Sequence, residues 1–282
     1  MTFTVEDRRA LRLPWCHVDS SAFERAERTM NEQSARRIDL QGAVNFRDIG
    51  GYPAAQGKRV RWRRVFRSDS LSKLTDDDHA QLAALGVRTL VDFRLASERR
   101  ELPNRLAPTS DITSVEIGFM AEGVLEMLRE VSRGTVTRTD IERTFVEQYR
   151  RFVTDHSAEF ARALAHALDE RNIPLLLHCT SGKDRTGFAI SALLLALGTP
   201  QEDILEDYAL TNSYMRDISN FFSASTPPEL LRYVMTAQPT YLKAAFDQMR
   251  HSFGSVDAYL ARALKLDDTR RSELAALLTE DV

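Results

Sequence analysis

The residues best equipped for chemistry sit together in HCTSGKDRTG, residues 178–187. Cys179 follows NIPLLLH (172–178), an apolar run that reads as a buried strand, and Arg185 comes six positions later, where TGFAISALLLALG (186–198) begins an apolar helix. A strand–loop–helix junction presents its loop at the carboxyl edge of an α/β sheet, where ligands bind. The first turn of the helix offers unpaired N–H groups and a positive dipole end to an anion. Between the thiol and the guanidinium stand Thr180, Ser181, Gly182, Lys183 and Asp184. That is enough backbone to curl into a ring whose amides converge on one tetrahedral oxyanion. Gly182 supplies the conformation such a ring needs. Arg185 can hold two phosphate oxygens with its planar fork, which a lysine cannot do. Thiols beside Lys and Arg at a helix N-terminus ionise readily, so Cys179 is expected as a thiolate nucleophile. His178 and the Thr186 hydroxyl are placed to hold the loop and donate to the sulfur. No general base adjoins the thiol, so attack on phosphorus fits better than acyl transfer. A Walker nucleotide loop is excluded, because Asp184 stands where Ser or Thr should bind magnesium.

The elements that must position this loop are legible as alternating strands and helices from residue 42 onward. GAVNFRDIGGY (42–52) reads as a short strand closed by a glycine turn, and KRVRWRRVFR (58–67) as one further strand. TDDDHAQLAALG (75–86) has Thr75 as N-cap, carboxylates in its first turn and Gly86 as stop. VRTLVDF (87–93) and SDITSVEI (110–117) are strand-like. A capping box at Thr139 and Glu142 predicts a helix over 139–153, with helix continuing or restarting to Asn172. Thr199–Pro200–Gln201–Glu202 and Thr226–Pro227–Pro228–Glu229 each read as N-cap, N1 proline and N3 glutamate. Gly254 and Asp267 punctuate two more helices. The pattern predicts an α/β fold with a largely parallel central sheet flanked by helices and a helical C-terminal segment, 199–282. Residues 1–40 read as an N-terminal extension and 41–282 as one domain.

HCTSGKDRTG, NFRDIGGY (45–52) and VDFR (91–94) together resemble the bacterial cysteine-dependent phosphatases of the protein tyrosine phosphatase B type. The loop is also similar to that of the myotubularin lipid phosphatases. The resemblance spans about residues 40–265 by order of motifs. It implies a tyrosine-phosphatase-like fold, Cys179 as nucleophile, Arg185 as phosphate binder and the backbone of 180–185 as cradle. It further implies activity on phosphotyrosine, with phosphoserine/threonine and phosphoinositides as additional substrate classes, through a cysteinyl-phosphate intermediate. Asp184 is a candidate general acid by likeness to the lipid phosphatases. Asp92 competes with it, because it ends a strand at the carboxyl edge; the plainer reading of Asp92 is a salt bridge with Arg94. Asn45, Arg47 and Asp48 are read, mainly through the resemblance, as supports of the phosphate loop.

Lys183 reads as positive charge at the rim, suited to an inositol head group or else simply solvated. The six basic residues of KRVRWRRVFR read as the solvated face of an edge strand, with steering of anions as the alternative. Phe221, Phe222, Tyr208 and Tyr233 form a lid or pack in the core, with core the better reading.

A net charge of −3 over 282 residues argues against nucleic acid as partner, and no apolar stretch is long enough to span a bilayer. Two cysteines, Cys16 and Cys179, and no secretory signal point to the cytoplasm, export without a cleaved signal aside. Neither HExxH nor paired Cys/His motifs occur, so no metal or other cofactor is expected. A phosphate-reading module without turnover is the alternative, and the intact Cys179, Asp184 and Arg185 speak against it. Sulfur transfer or arsenate reduction would want a resolving thiol, and only Cys16 is available.

Overall fold

The computed structural model describes residues 35–214, 222–224 and 226–282. Within them, Arg37–Val282 forms one compact unit. Most of the expected N-terminal extension, Cys16 with it, and Phe221 lie outside the described residues.

The first half runs β1 (Arg47–Asp48), β2 (Lys58–Val60), β3 (Val65–Ser68), α1 (Asp76–Leu85), β4 (Thr89–Asp92), α2 (Ala96–Glu101) and β5 (Thr113–Glu116). Then come α3 (Val124–Arg133), α4 (Arg138–Thr154), α5 (Ser157–Ala165), β6 (Leu175–His178) and α6 (Asp184–Ala196). The tail is α7 (Gln201–Leu210), α8 (Pro228–Met235), α9 (Pro239–Phe253), α10 (Val256–Arg262), α11 (Asp268–Leu278) and β7 (Thr279–Asp281). Five strands form the central sheet in the order β1-β3-β6-β4-β5, parallel except for β1.

Strand periodicity divides the apolar residues between two faces. Phe66, Leu90 and Leu176 meet α1 through Leu82, whereas Val65, Val91, Leu175 and Leu177 face the large helical layer. Because β6 is central and covered on both faces, it reads as unbroken leucine rather than as alternation. Its neighbour α6 is buried all round for the same reason: twelve of its thirteen residues are buried. Register places Ser68, His178 and Asp92 in one row at the carboxyl edge.

Several sequence expectations shift. KRVRWRRVFR is two strands, not one. β2 pairs with β7 in a small separate sheet, and β3 enters the central sheet. Its basic residues Lys58, Arg59, Arg61, Arg63 and Arg64 are exposed or half-buried, in keeping with a solvated face, but Arg67, its last residue, is fully buried. The expected strand at 42–52 contracts to Arg47–Asp48. The α4 capping box is Thr137 with Asp140, two residues before the one expected. Thr199 and Thr226 do not cap, because Pro200 and Pro227 take the N-cap positions of α7 and α8. Thr226 instead donates to the Ser132 carbonyl at 3.3 Å. Tyr208 is core, and Phe222 and Tyr233 pack against the core partly buried, so these three follow the core reading rather than the lid.

Candidate active site

The loop between β6 and α6 is short, buried and held from outside by three successive carbonyls. Thr180 O accepts from Ser70 N at 3.0 Å, Ser181 O from Asn45 Nδ2 at 3.0 Å, and Gly182 O from Arg67 Nη2 at 2.7 Å. A trans peptide points its N–H opposite to its C=O. Anchoring these carbonyls outward therefore turns the amides of Ser181, Gly182 and Lys183 away from the anchors, and the Lys183 N–H meets the Ser181 hydroxyl at 3.4 Å. Gly182 sits at φ +66°, and a Cβ there would meet Ser68 O at 2.6 Å and Asn45 Nδ2 at 2.8 Å. Only glycine serves this position. Cys179 lies at the base, 2% exposed.

Beneath the loop lies a buried ionic group that sequence reasoning saw only in part. Asp207 of α7 accepts from Arg47 Nε at 3.1 Å and is paired with Arg67 Nη1. Burial pushes its carboxyl up, but the two guanidiniums overcome this and hold it at about 2. Arg47 also bonds the Asn45 side chain, so both carbonyl-holding donors, Asn45 and Arg67, connect to one carboxylate. Asn45 thus contacts the loop directly, and Arg47 contacts it through Asn45. Asp48 accepts from Gly50 N at 2.8 Å and Arg63 N at 2.6 Å, which shapes the turn.

At the mouth, Arg185 donates to Phe93 O at 2.9 Å and makes a two-point pair with Glu98 at 2.8 and 2.9 Å. Glu98 also accepts from the Thr180 hydroxyl and from Leu95 N at 2.7 Å. Burial raises the Glu98 carboxyl, yet the bonds and charge of Arg185 bring it down to about 2. The nearby Cys179 and Glu98 charges outweigh burial and keep the Arg185 guanidinium above its usual range.

The two candidate acids are held differently. Asp92 accepts from Arg94 Nη2 at 2.8 Å, Asn104 Nδ2 at 3.0 Å and lies 3.2 Å from His178 Nε2. Burial alone would raise its carboxyl, but His178 and Arg94 hold it well below the usual carboxylate range. Asp184, first residue of α6, accepts from the Tyr149 hydroxyl at 3.1 Å and lies 3.6 Å from Lys183 Nζ.

Lys183 is neither solvated nor at the rim. It is 2% exposed, donates to the Val234 carbonyl of α8 and lies 4.1 Å over the Phe145 ring. Its pKa is lowered by burial. The Thr186 hydroxyl is buried without a hydrogen-bond partner among the described residues, as is His178 Nδ1. Glu98, Arg67, Ser70, Asp207 and Tyr149 escaped sequence reasoning. They come from five separate elements or connections, and no local spacing links them to the loop. Glu98 alone left a trace, as a glutamate at the third position of a short helix just after a strand end.

Among the described residues, no group of three or more His, Cys, Asp or Glu side chains converges as metal ligands would. No described helix is long and apolar enough to cross a membrane.

Residues 38–280 match the tyrosine phosphatase family. A tyrosine-protein phosphatase sequence of Cupriavidus necator is 31% identical over 233 residues, 79% of this chain and 82% of the relative. The triple specificity protein phosphatase PtpB of Mycobacterium tuberculosis is 27% identical over 260 residues, 80% of this chain and 93% of the relative. Among solved structures, the catalytic core of Siw14 covers 75% of this chain and 95% of its own, with 13% identity and a TM-score of 0.36, too distant to bear on function. The chain belongs to the tyrosine phosphatase family and is a cysteine-dependent phosphatase.

Proposed function

We propose that this member of the tyrosine phosphatase family acts on phosphotyrosine through a cysteinyl-phosphate intermediate formed on Cys179. The observation that carries the reading is the set of three anchored carbonyls at 180–182; the amides turned away from those anchors are read as the cradle for the equatorial oxygens of phosphorus. Cys179 attacks in line with the leaving oxygen. The loop amides and Arg185 hold the three equatorial oxygens as charge redistributes. Asp184 protonates the leaving oxygen, and as carboxylate it then takes a proton from the water that hydrolyses the thiophosphate. Asp92 is assigned to positioning: a carboxylate engaged by Arg94, Asn104 and His178 keeps its charge at neutral pH and orients the histidine next to the nucleophile. Asn45, Arg47 and Arg67 keep the loop carbonyls turned outward. The catalytic domain comprises residues 41–282, and two cysteines suit the reducing cytoplasm.

The depth of the site favours phosphotyrosine within the wider substrate range. A nucleophile 2% exposed is reached more easily by a phosphate on a phenyl arm than by one on a short alkyl chain. Lys183, which would serve a second phosphate of an inositol head group, is engaged with Val234 and Phe145. The Mycobacterium tuberculosis relative carries triple specificity in its name, so phosphoserine/threonine and phosphoinositides are retained as slower substrates. Comparing kcat/KM on phosphotyrosine, phosphoserine and phosphothreonine peptides and on phosphoinositides tests this order. A phosphoinositide exceeding phosphotyrosine peptide would overturn it.

A further inference from the structure

The carboxylate proposed as general acid is not bonded by a charged group alone; a phenol chain reaches it. Tyr149 Oη of α4 lies 3.1 Å from Asp184 Oδ1 and 2.8 Å from Tyr208 Oη of α7. Both phenols are fully buried, and burial with the nearby Asp184 charge pushes each well above its ordinary pKa. Each therefore keeps its proton through the working range and has one hydrogen to donate. An ionised carboxylate can only accept. Tyr149 must then give its hydrogen to Asp184, and Tyr208 must give its own to the Tyr149 oxygen. The direction of the chain is set: Tyr208 to Tyr149 to Asp184. Protonation of Asp184 on the bonded oxygen would reverse it and force the Tyr208 hydrogen to find another acceptor.

We propose that Tyr208 and Tyr149 form a directional hydrogen-bond chain that orients the Asp184 carboxylate and stabilises its ionised form. The proposal rests on the reading of Asp184 as the general acid and base. Packing supports it: Gly187, last residue of the loop motif, lets Tyr208 come close, since a Cβ there would lie 3.0 Å from the Tyr208 ring. The two rings meet edge to face with centroids 5.9 Å apart. Among the described residues, the other charged or titratable groups facing Asp184 are Lys183 at 3.6 Å, Arg185 at the start of the same helix, and Tyr241 of α9. Lys183 and Arg185 also favour the carboxylate, and they remain when a phenol hydroxyl is removed. Tyr149 and Tyr208 are thus positioning residues. They bias Asp184 toward the form that hydrolysis of the thiophosphate needs, at the expense of the form that protonates the leaving group.

The test is the pH dependence of kcat/KM on a phosphotyrosine peptide for the wild type, Tyr149→Phe and Tyr208→Phe, each also in an Asp184→Asn background. A hydrogen bond donated to the charged form favours that form, so removing it moves the alkaline limb to higher pH. Tyr149→Phe is expected to move the limb up by about one pH unit. Tyr208→Phe, one bond further away and less exposed to folding defects at the carboxylate, should move it in the same direction by less. Neither variant should move any limb when Asp184 is Asn. A limb unmoved by both phenylalanines, while Asp184→Asn still slows poor leaving groups, overturns the chain and leaves Asp184 as acid. An Asp184→Asn enzyme insensitive to leaving group overturns the acid assignment and the chain with it.

Discussion

Two aspartates stand at the carboxyl edge of one sheet, and the regions around them could hardly be built more differently. Asp92 is surrounded by charge and amide: Arg94, Asn104 and His178 all address it, and it is 1% exposed. Asp184 stands at the head of a helix with a phenol on one oxygen and an ammonium 3.6 Å from the other. A carboxylate that several donors stabilise gives up its charge with difficulty and works as a fixed anion. One held by a single phenol hydrogen bond, with an ammonium at 3.6 Å, is less tightly locked and suits a proton exchange in each half of a reaction. Likeness of the loop made Asp184 a candidate and a strand end made Asp92 one; partners separate them.

The most severe break removes what both regions serve. Cys179→Ser should abolish turnover on every substrate while leaving vanadate or phosphopeptide binding measurable by calorimetry. Substantial residual turnover would end the covalent mechanism. The comparison itself is sharpest in the paired asparagines. Asp184→Asn should slow phosphotyrosine by about 10²–10⁴-fold, and p-nitrophenyl phosphate by far less, because an activated leaving group needs little protonation. Asp92→Asn should instead lower stability by about 3–5 kcal/mol in denaturant titration, because Arg94 is left buried without its carboxylate. Its rate effect should vary little with leaving group. If the two variants exchange these behaviours, the assignment is reversed.

A milder change separates the base of the loop from its mouth. Asp207→Asn loosens Arg67, which anchors the Gly182 carbonyl, and Arg47, which holds Asn45, so vanadate affinity should fall together with kcat/KM, without the leaving-group dependence of Asp184→Asn. The smallest effect concerns acid stability. The folded-state carboxyl of Glu98 is lowered from 4.5 to about 2 by Arg185, with burial opposing. A depressed folded-state value means the pair stabilises the fold above the unfolded-state value of 4.5, and that contribution is lost as pH falls through about 2. Urea midpoints measured from pH 5 to pH 2 should therefore decline less steeply in Glu98→Gln than in the wild type.

How much of this was legible depends on sequence distance. Cys179, Gly182, Asp184 and Arg185 fall within seven consecutive residues, so the anion loop, the strand before it and the helix after it could be read directly. Thr75 with Gly86, and Asp267 before α11, were readable because a cap is a contact over three residues. Prolines misled: Thr199 and Thr226 each precede a proline that takes the N-cap position itself. The basic run 58–67 was unreadable as two strands, since β2 finds its partner at the far C-terminus and β3 in the centre of the other sheet. The sequence places Lys183 at the rim, for a head group or simply solvated, because nothing local announces that α8 offers it a carbonyl.

The sequence by itself determined the thiol proposed as nucleophile, the arginine proposed to bind phosphate, the glycine that the loop demands and the α/β class. Each is encoded by neighbours within one turn or one period, where covalent connection does the positioning. The tertiary structure alone decided which aspartate is charge-locked, which carboxylate meets Arg185, and what holds the loop carbonyls outward. Those contacts join Arg67 to Asp207, Glu98 to Arg185 and Tyr149 to Asp184. They exist because burying the two sheet faces brings the carboxyl ends of β3, β4 and β6 together with helices from the second half of the chain. Apolar burial drives that convergence without regard to sequence distance, and the polar groups it carries inside must then find one another.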